Sequence, residues 1–254
     1  MKVSVITVSY NSEKTIEETI KSVKNQSYED IEYILVDGKS NDSTIDIIKK
    51  YESFFKNTTK DYRWISEKDS GIYDAINKGI KLATGDVIGI LNSDDFFCEN
   101  SVIADIVDCF KSNNIDCLYG NMVYINAETR KVKRRWISRE FNNGLFEKSW
   151  TPGHPTFYCK SGLYHEYGLY RTDFKIAADV ELMYRFLVNH NINSYFMNKY
   201  MVVMRQGGVS SSGLKSTLTI TKEMKKAIEE NGGNFNLAKY LFYKALKIKE
   251  FLLT

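Results

Sequence analysis

The chain has 254 residues, 43% of them hydrophobic and 26% charged, enough to bury a sizeable core as one large domain or one domain with an appendage. A formal net charge of +3 is too mild to argue for nucleic-acid binding, and four cysteines without a CxxC pair beside three scattered histidines exclude a zinc site and a disulfide framework. The start, MKVSVITVSYN, is too short and too soon polar for a signal peptide, and no run approaches the roughly 20 apolar residues of a membrane span, so a cytoplasmic protein is expected.

VSVITVSY is rich in β-branched residues and breaks at Asn11-Ser12, after which Ile16, Ile20 and Val23 recur at helical spacing. IEYILVDGKS repeats the device: an apolar strand over 31–36, a break at Asp37-Gly38, then a helix over 40–51 with Ile45, Ile48 and Tyr51 inward. A third strand is predicted over 62–66, a third helix over 73–83 and a fourth strand over 86–91. Continuous apolar strands separated by helices make a parallel sheet covered on both faces, so the first ~120 residues read as doubly wound α/β. From about Leu118 the pattern changes. CLYGNMVYIN and KVKRRWIS read as an antiparallel hairpin, both prolines bracket the loop TPGHPTFY, a helix is predicted over 177–189, YMVVMRQGGVSS reads as a strand, and a Lys-rich helical tail follows Gly213.

Ligands of such sheets bind beyond the carboxyl ends of the strands, where Asn11, Asp37, Glu67 to Asp69, and Asp94 with Asp95 all fall. Asp94 and Asp95 follow a buried strand directly, and adjacent carboxylates there need a cation beside them. Hard oxygen ligands suit Mg²⁺ or Mn²⁺ shared with the phosphates of a substrate, although an Asp pair opening a helix near Glu99 fits the same residues. No glycine fingerprint follows the first strand, whose loop is YNSEKT, so the phosphates would be held by a metal and side chains.

The ordered segments VSVITVSYN, ILVDGKSNDST, SEKDSGIYDAINKGIKLATGDVIGILNSDD and IAADVEL resemble family 2 of the inverting glycosyltransferases, closest to bacterial members that build surface polysaccharides. The resemblance spans roughly residues 1–213. It implies the GT-A fold, with a nucleotide-sugar half over 1–120 and an acceptor half over 121–213 that holds a small antiparallel portion; the helical extension over 214–254 lies beyond it. It implies that Thr7, Ser9 and Tyr10 line the nucleobase pocket, that Asp37 hydrogen-bonds the base, usually uracil, and that Lys68 and Asp69 lie near the base and diphosphate. Asp94 and Asp95 match the motif that holds the metal and the ribose-phosphate end of the donor. Relatives often carry Asp where this chain has Asn92, and an Arg where it has Ile76, leaving Lys68, Lys78 or Arg205 as the phosphate contacts.

Transfer with inversion needs a base for the incoming hydroxyl. Asp179 in IAADVEL matches the family position, while an acid in a first turn also suits the helix dipole. Glu181 is the fallback and points some 200° around the helix from Asp179. His154, held between prolines, is an acceptor-side candidate or a structural hydrogen-bonder, and Arg205 with the following glycines could close over a diphosphate or form a connector. The basic run over 129–136 reads as a solvated face. The tail over 239–254 mixes Lys with Leu, Phe and Ile in a composition that fits an anionic membrane surface, or packing on the domain or on a second subunit. The expected activity is metal-dependent transfer of a sugar from a UDP-linked donor to a glycan acceptor, lipid-linked at the inner membrane face. The alternatives are a nucleotidyltransferase and a non-catalytic nucleotide- or glycan-binding module.

Overall fold

The computed structural model describes residues 1–206 and 214–246. Strands β1 (Val3–Ser9) and β2 (Ile31–Asp37) are buried at every position, as continuous apolar strands must be when helices cover both faces. Three helices alternate with the strands of this half: α1 (Ile16–Lys24), α2 (Thr44–Phe55) and α3 (Ile72–Leu82). The predicted faces are the buried ones: Ile16, Ile20 and Val23 on α1, Ile48 and Tyr51 on α2, Ile76 and Ile80 on α3. With β3 (Asp61–Ser66) and β4 (Val87–Ile90), the pairs β1–β2, β2–β3 and β1–β4 are all parallel.

The second half begins after β5 (Phe96–Phe97) and α4 (Val102–Ser112). As predicted, β6 (Cys117–Ile125) and β7 (Val132–Trp136) form an antiparallel hairpin. Two short 3-10 turns, Phe146–Lys148 and His154–Thr156, lead into β8 (Tyr158–Lys160) and α5 (Gly162–Tyr167). Helix α6 (Ala178–Tyr184) continues as a π-helical turn over Arg185–Asn189, and β9 (Ser194–Arg205) starts six residues before the predicted strand. The sheet runs β3-β2-β1-β4-β8-β6-β9-β5, with β7 added on β6; β4 and β8 pair antiparallel, joining the two halves.

The tail is helical as expected, in α7 (Leu214–Glu230) and α8 (Leu237–Leu246). Met224, Ala227 and Ile228 of α7 are buried in the same core as α6. The extension is therefore integral to the fold, and residues 207–213 and 247–254, which include much of the predicted glycine-rich loop and the end of the tail, lie outside the described residues.

Candidate functional site

The register of the parallel strands sets Ser9, Asp37 and Ser66 abreast at the carboxyl ends of β1, β2 and β3. Asp37 is fully buried and accepts from Ser9 Oγ (3.0 Å), Ser40 Oγ (2.5 Å), Ser40 N (2.8 Å) and Ser66 Oγ (2.8 Å). A carboxylate offers about four acceptor positions, and here each oxygen carries two internal donors. Any base contact by Asp37 has to displace one of them. Thr7 is also fully buried, donating to the Leu91 carbonyl (2.7 Å) and accepting from the Tyr33 hydroxyl (3.1 Å). Thr7, Ser9 and Asp37 thus order the strand ends through internal hydrogen bonds.

What they order is a cleft of about 320 Å³ lined by Tyr10, Gly38, Lys39, Asn41, Lys68 and Asp69. Tyr10 is 62% exposed and offers a free ring face. A Cβ on Gly38 would collide with the Asp69 carboxylate, so glycine there permits that acid's approach. Asp69 Oδ1 accepts from Gly71 N (2.9 Å), fixing the turn that opens α3. Lys78 ion-pairs with Glu67 (2.9 Å) and donates to the Lys68 carbonyl, whereas Ile76 is buried in the core. A larger concavity of about 570 Å³ lies along the outer edge of the sheet, between α2 and β3, and takes in none of the residues singled out by the sequence.

The cation beside Asp94 and Asp95 is Arg205, at the end of β9. Its guanidinium donates to the Asp94 carbonyl, ion-pairs with Glu18, and lies 5.0 Å from the Phe96 ring centroid. Arg130 meets Glu18 bidentately (3.0 and 2.7 Å) and covers the same ring at 5.1 Å. Burial raises the Asp94 carboxyl above its ordinary range, and burial together with the Asp94 charge raises Asp95 well above it. Asp95 Oδ2 accepts from Asn92 Nδ2 (3.2 Å), but Asp95 Oδ1 and Asn92 Oδ1 are buried oxygens without a partner. Thr19 of α1 clamps the loop through the carbonyls of Ser93 (3.0 Å) and Asp95 (2.7 Å). Unsatisfied buried oxygens beside a second carboxylate fit a hard divalent ion whose remaining ligands come from outside the protein. Among the described residues no set of three or more His, Cys, Asp and Glu side chains gathers to hold a metal, so protein ligands alone would leave the coordination incomplete.

Asp179 sits in the first turn of α6, half-buried, with its carboxyl raised by burial and partly offset by His154. Tyr73, in the first turn of α3, reaches Asp179 Oδ1 (3.5 Å) and the Ile176 carbonyl. Asp179 is therefore tied to the helix that the Lys68–Gly71 loop introduces. His154 Nε2 meets the Tyr170 hydroxyl (3.0 Å), and burial lowers its pKa, so the ring is neutral at neutral pH. Tyr170 stacks on Tyr73 at 5.9 Å and exchanges two hydrogen bonds with Asn77 (2.8 and 3.0 Å). Glu181 is 2% exposed and locked to Arg185 (3.0 Å), whose guanidinium also donates to the carbonyls of Tyr167, Gly168 and Leu169. Of the two acids weighed for the base, Glu181 is spent on Arg185, whereas Asp179 is half-buried and makes no ion pair among the described residues.

Two contributors escaped the sequence. The carboxylate of Glu223, on α7, accepts from the backbone of Lys175 (2.8 Å), Ile176 (2.9 Å) and Ala177 (2.9 Å), and so anchors the segment that delivers Asp179. Tyr124 of β6 has its hydroxyl pushed up to about 12 by burial, with Arg134 opposing the rise and the charges of Asp95 and Asp179 adding to it. A polar residue in a strand pattern and an acid on an exposed-looking helix carry no local signal of such long-range placement.

Residues 4–170 match the model of glycosyl transferase family 2. An uncharacterized glycosyltransferase of Mycobacterium tuberculosis is 35% identical over 185 residues, 72% of this chain and 68% of that protein. Staphylococcus aureus TarS 1–349 in complex with UDP-GlcNAc superposes with a TM-score of 0.69 at 19% identity, over 98% of this chain and 73% of that one. This chain spans 43% of the longer TarS chain. The mannosyltransferase PcManGT of Pyrobaculum calidifontis, in complex with GDP-Man and Mn²⁺, superposes with a TM-score of 0.68 at 18% identity, over 96% and 69% of the two chains.

Proposed function

Since the chain belongs to glycosyl transferase family 2 and has the GT-A fold, we propose that it moves a sugar from a UDP-linked donor to a hydroxyl of a glycan acceptor, with inversion at the anomeric carbon, in surface polysaccharide synthesis. The observation that carries this reading is Asp179, a half-buried carboxylate with no ion pair among the described residues, joined through Tyr73 to the loop that lines the Tyr10 cleft.

In this reading Tyr10 offers its ring to the base, Lys68 and Asp69 flank the ribose and diphosphate, and Arg205 holds the Asp94 backbone in place beside them. Asp94 and Asp95 would hold Mg²⁺ or Mn²⁺, which when bound offsets the charge of the leaving diphosphate. The acceptor oxygen attacks the anomeric carbon from the face opposite the diphosphate and its proton passes to the Asp179 carboxylate. The bond between the anomeric carbon and the diphosphate oxygen breaks with its electron pair leaving on the diphosphate. Burial raises the Asp179 carboxyl above the ordinary aspartate range, which makes its carboxylate a stronger base. His154 and Tyr170 line the acceptor side, residues 1–120 form the donor half and 121–213 the acceptor half, and the acceptor is lipid-linked at the membrane face. A TarS complex with UDP-GlcNAc and a mannosyltransferase complex with Mn²⁺ support the donor class and the metal by likeness of fold.

The test is release of UDP from UDP-glucose, UDP-galactose and UDP-N-acetylglucosamine, with and without Mn²⁺. Manganese-dependent release from one of them is expected. Tight donor binding with no release under any condition would make the protein a binding module instead.

A further inference from the structure

Helix α8 packs one face on the domain and leaves the other bare. Tyr240 is buried, 5.2 Å from the Phe235 ring, and Lys148 of the 3-10 turn preceding the proline loop lies 5.9 Å from the Tyr243 ring. At about 100° per residue, Leu237, Ala238, Leu241, Phe242, Ala245 and Leu246 cover the opposite arc of roughly 180°. All six are exposed, Phe242 at 62% and Leu237 at 52%. Isolated exposed leucines are ordinary, but a whole helix face of them without one polar residue marks a surface that another phase or molecule covers.

The charges say which. Lys239 and Lys244 fall at the two borders of that arc, one on each side, and α8 contains no acidic residue. The Lys244 ammonium lies over the Tyr240 ring at 5.6 Å, its stem following the apolar surface. Lysines flanking an apolar face can reach headgroup phosphates while the face enters the acyl boundary. A second copy of this chain would gain nothing from cations on both rims, since the same cations would meet across a two-fold axis.

We propose that α8 docks flat on an anionic bilayer surface through Leu237, Leu241, Phe242 and Leu246, with Lys239 and Lys244 on lipid phosphates. Because α8 is seated against the Phe146–Lys148 turn of the acceptor half, docking sets that half against the bilayer. The proposal gives a physical means for the membrane contact suggested above, and it is read without any donor or acceptor, so its failure leaves the transfer assay untouched.

The full-length protein is floated with vesicles of phosphatidylcholine alone and with equimolar phosphatidylcholine and phosphatidylglycerol, at low and high salt, beside Leu241→Glu/Phe242→Glu. Both replaced side chains face outward, so the melting temperature is expected to be unchanged, while binding to the anionic vesicles falls by at least about tenfold. Wild-type flotation with the anionic vesicles only, reduced by salt, supports the proposal. No flotation, or equal flotation with neutral vesicles, overturns it. A dimer in solution that Phe242→Glu converts to monomer overturns it in favour of a second copy. Phe242→Trp gives an independent readout on folded protein: its added fluorescence is quenched by bromine-labelled acyl chains if the face enters the bilayer, and unquenched fluorescence in bound protein refutes the docking face.

Discussion

Replacing Asp179 by Asn keeps the volume and the Oδ1 acceptor that Tyr73 reaches at 3.5 Å, and breaks no ion pair among the described residues. The fold around the first turn of α6 is therefore retained, held as before by Glu223 on the three preceding backbone amides. What is lost is the ability to take a proton. A positioned general base contributes about 10²- to 10⁴-fold, which at about 1.4 kcal/mol per decade raises the barrier by roughly 3 to 5 kcal/mol. The wild type should gain turnover with rising pH, because only the deprotonated carboxylate acts and burial places its titration above the ordinary aspartate range. That ascending limb should vanish in Asp179→Asn. The assay is UDP release from the donor with water as acceptor, beside a donor Kd from calorimetry. The reasoning fails if the variant keeps wild-type turnover at an unchanged Kd.

Four further substitutions probe the supports of the site. Asp95→Asn removes a buried carboxylate whose folded-state pKa is raised, a group that binds its proton more tightly folded than unfolded. In the wild type such a group costs stability as pH rises through its folded pKa, so the metal-free variant should melt higher than wild type at neutral pH, converge with it in acid, and lose manganese-dependent donor binding. Asp37→Ala strands three serine hydroxyls and an amide that now share one carboxylate, a loss of about 3 kcal/mol that calorimetric melting should report as a fall of several degrees. Glu181→Gln breaks the buried pair with Arg185 and should cost about 3 kcal/mol of stability while folded protein keeps its turnover; turnover lost in parallel with Asp179→Asn would assign Glu181 to the chemistry. Glu223→Gln weakens the anchor of the Asp179 segment, so kcat should fall while donor Kd holds.

The first half of the chain was legible because parallel strands buried on both faces and one-sided helices write their burial into local periodicity. Asp94 and Asp95 stood out for the same reason, as charge where the pattern demands apolar residues. The hydrogen-bond partners of Asp37 were not legible, because they are set by register across β1, β2 and β3, and no single strand encodes it. β5 and β8 are too short for a period to show, and the start of β9 was missed because Ser194–Lys199 mixes exposed Tyr195 and Asn198 with half-buried positions and one buried residue, Met197, so no strand period shows. Glu223 lies 44 residues after Asp179 in a helix that reads as a charged tail, and only the packing of α7 on α6 reveals what it holds.

Diffraction at the manganese absorption edge from crystals soaked with UDP and Mn²⁺ tests the central claim most directly. The anomalous peak is predicted at Asp95 and Asp94, bridged to the diphosphate of a nucleotide whose base lies against Tyr10, with Asp179 open to the same cleft. Nucleotide and metal bound elsewhere, with the two carboxylates untouched, would contradict the account.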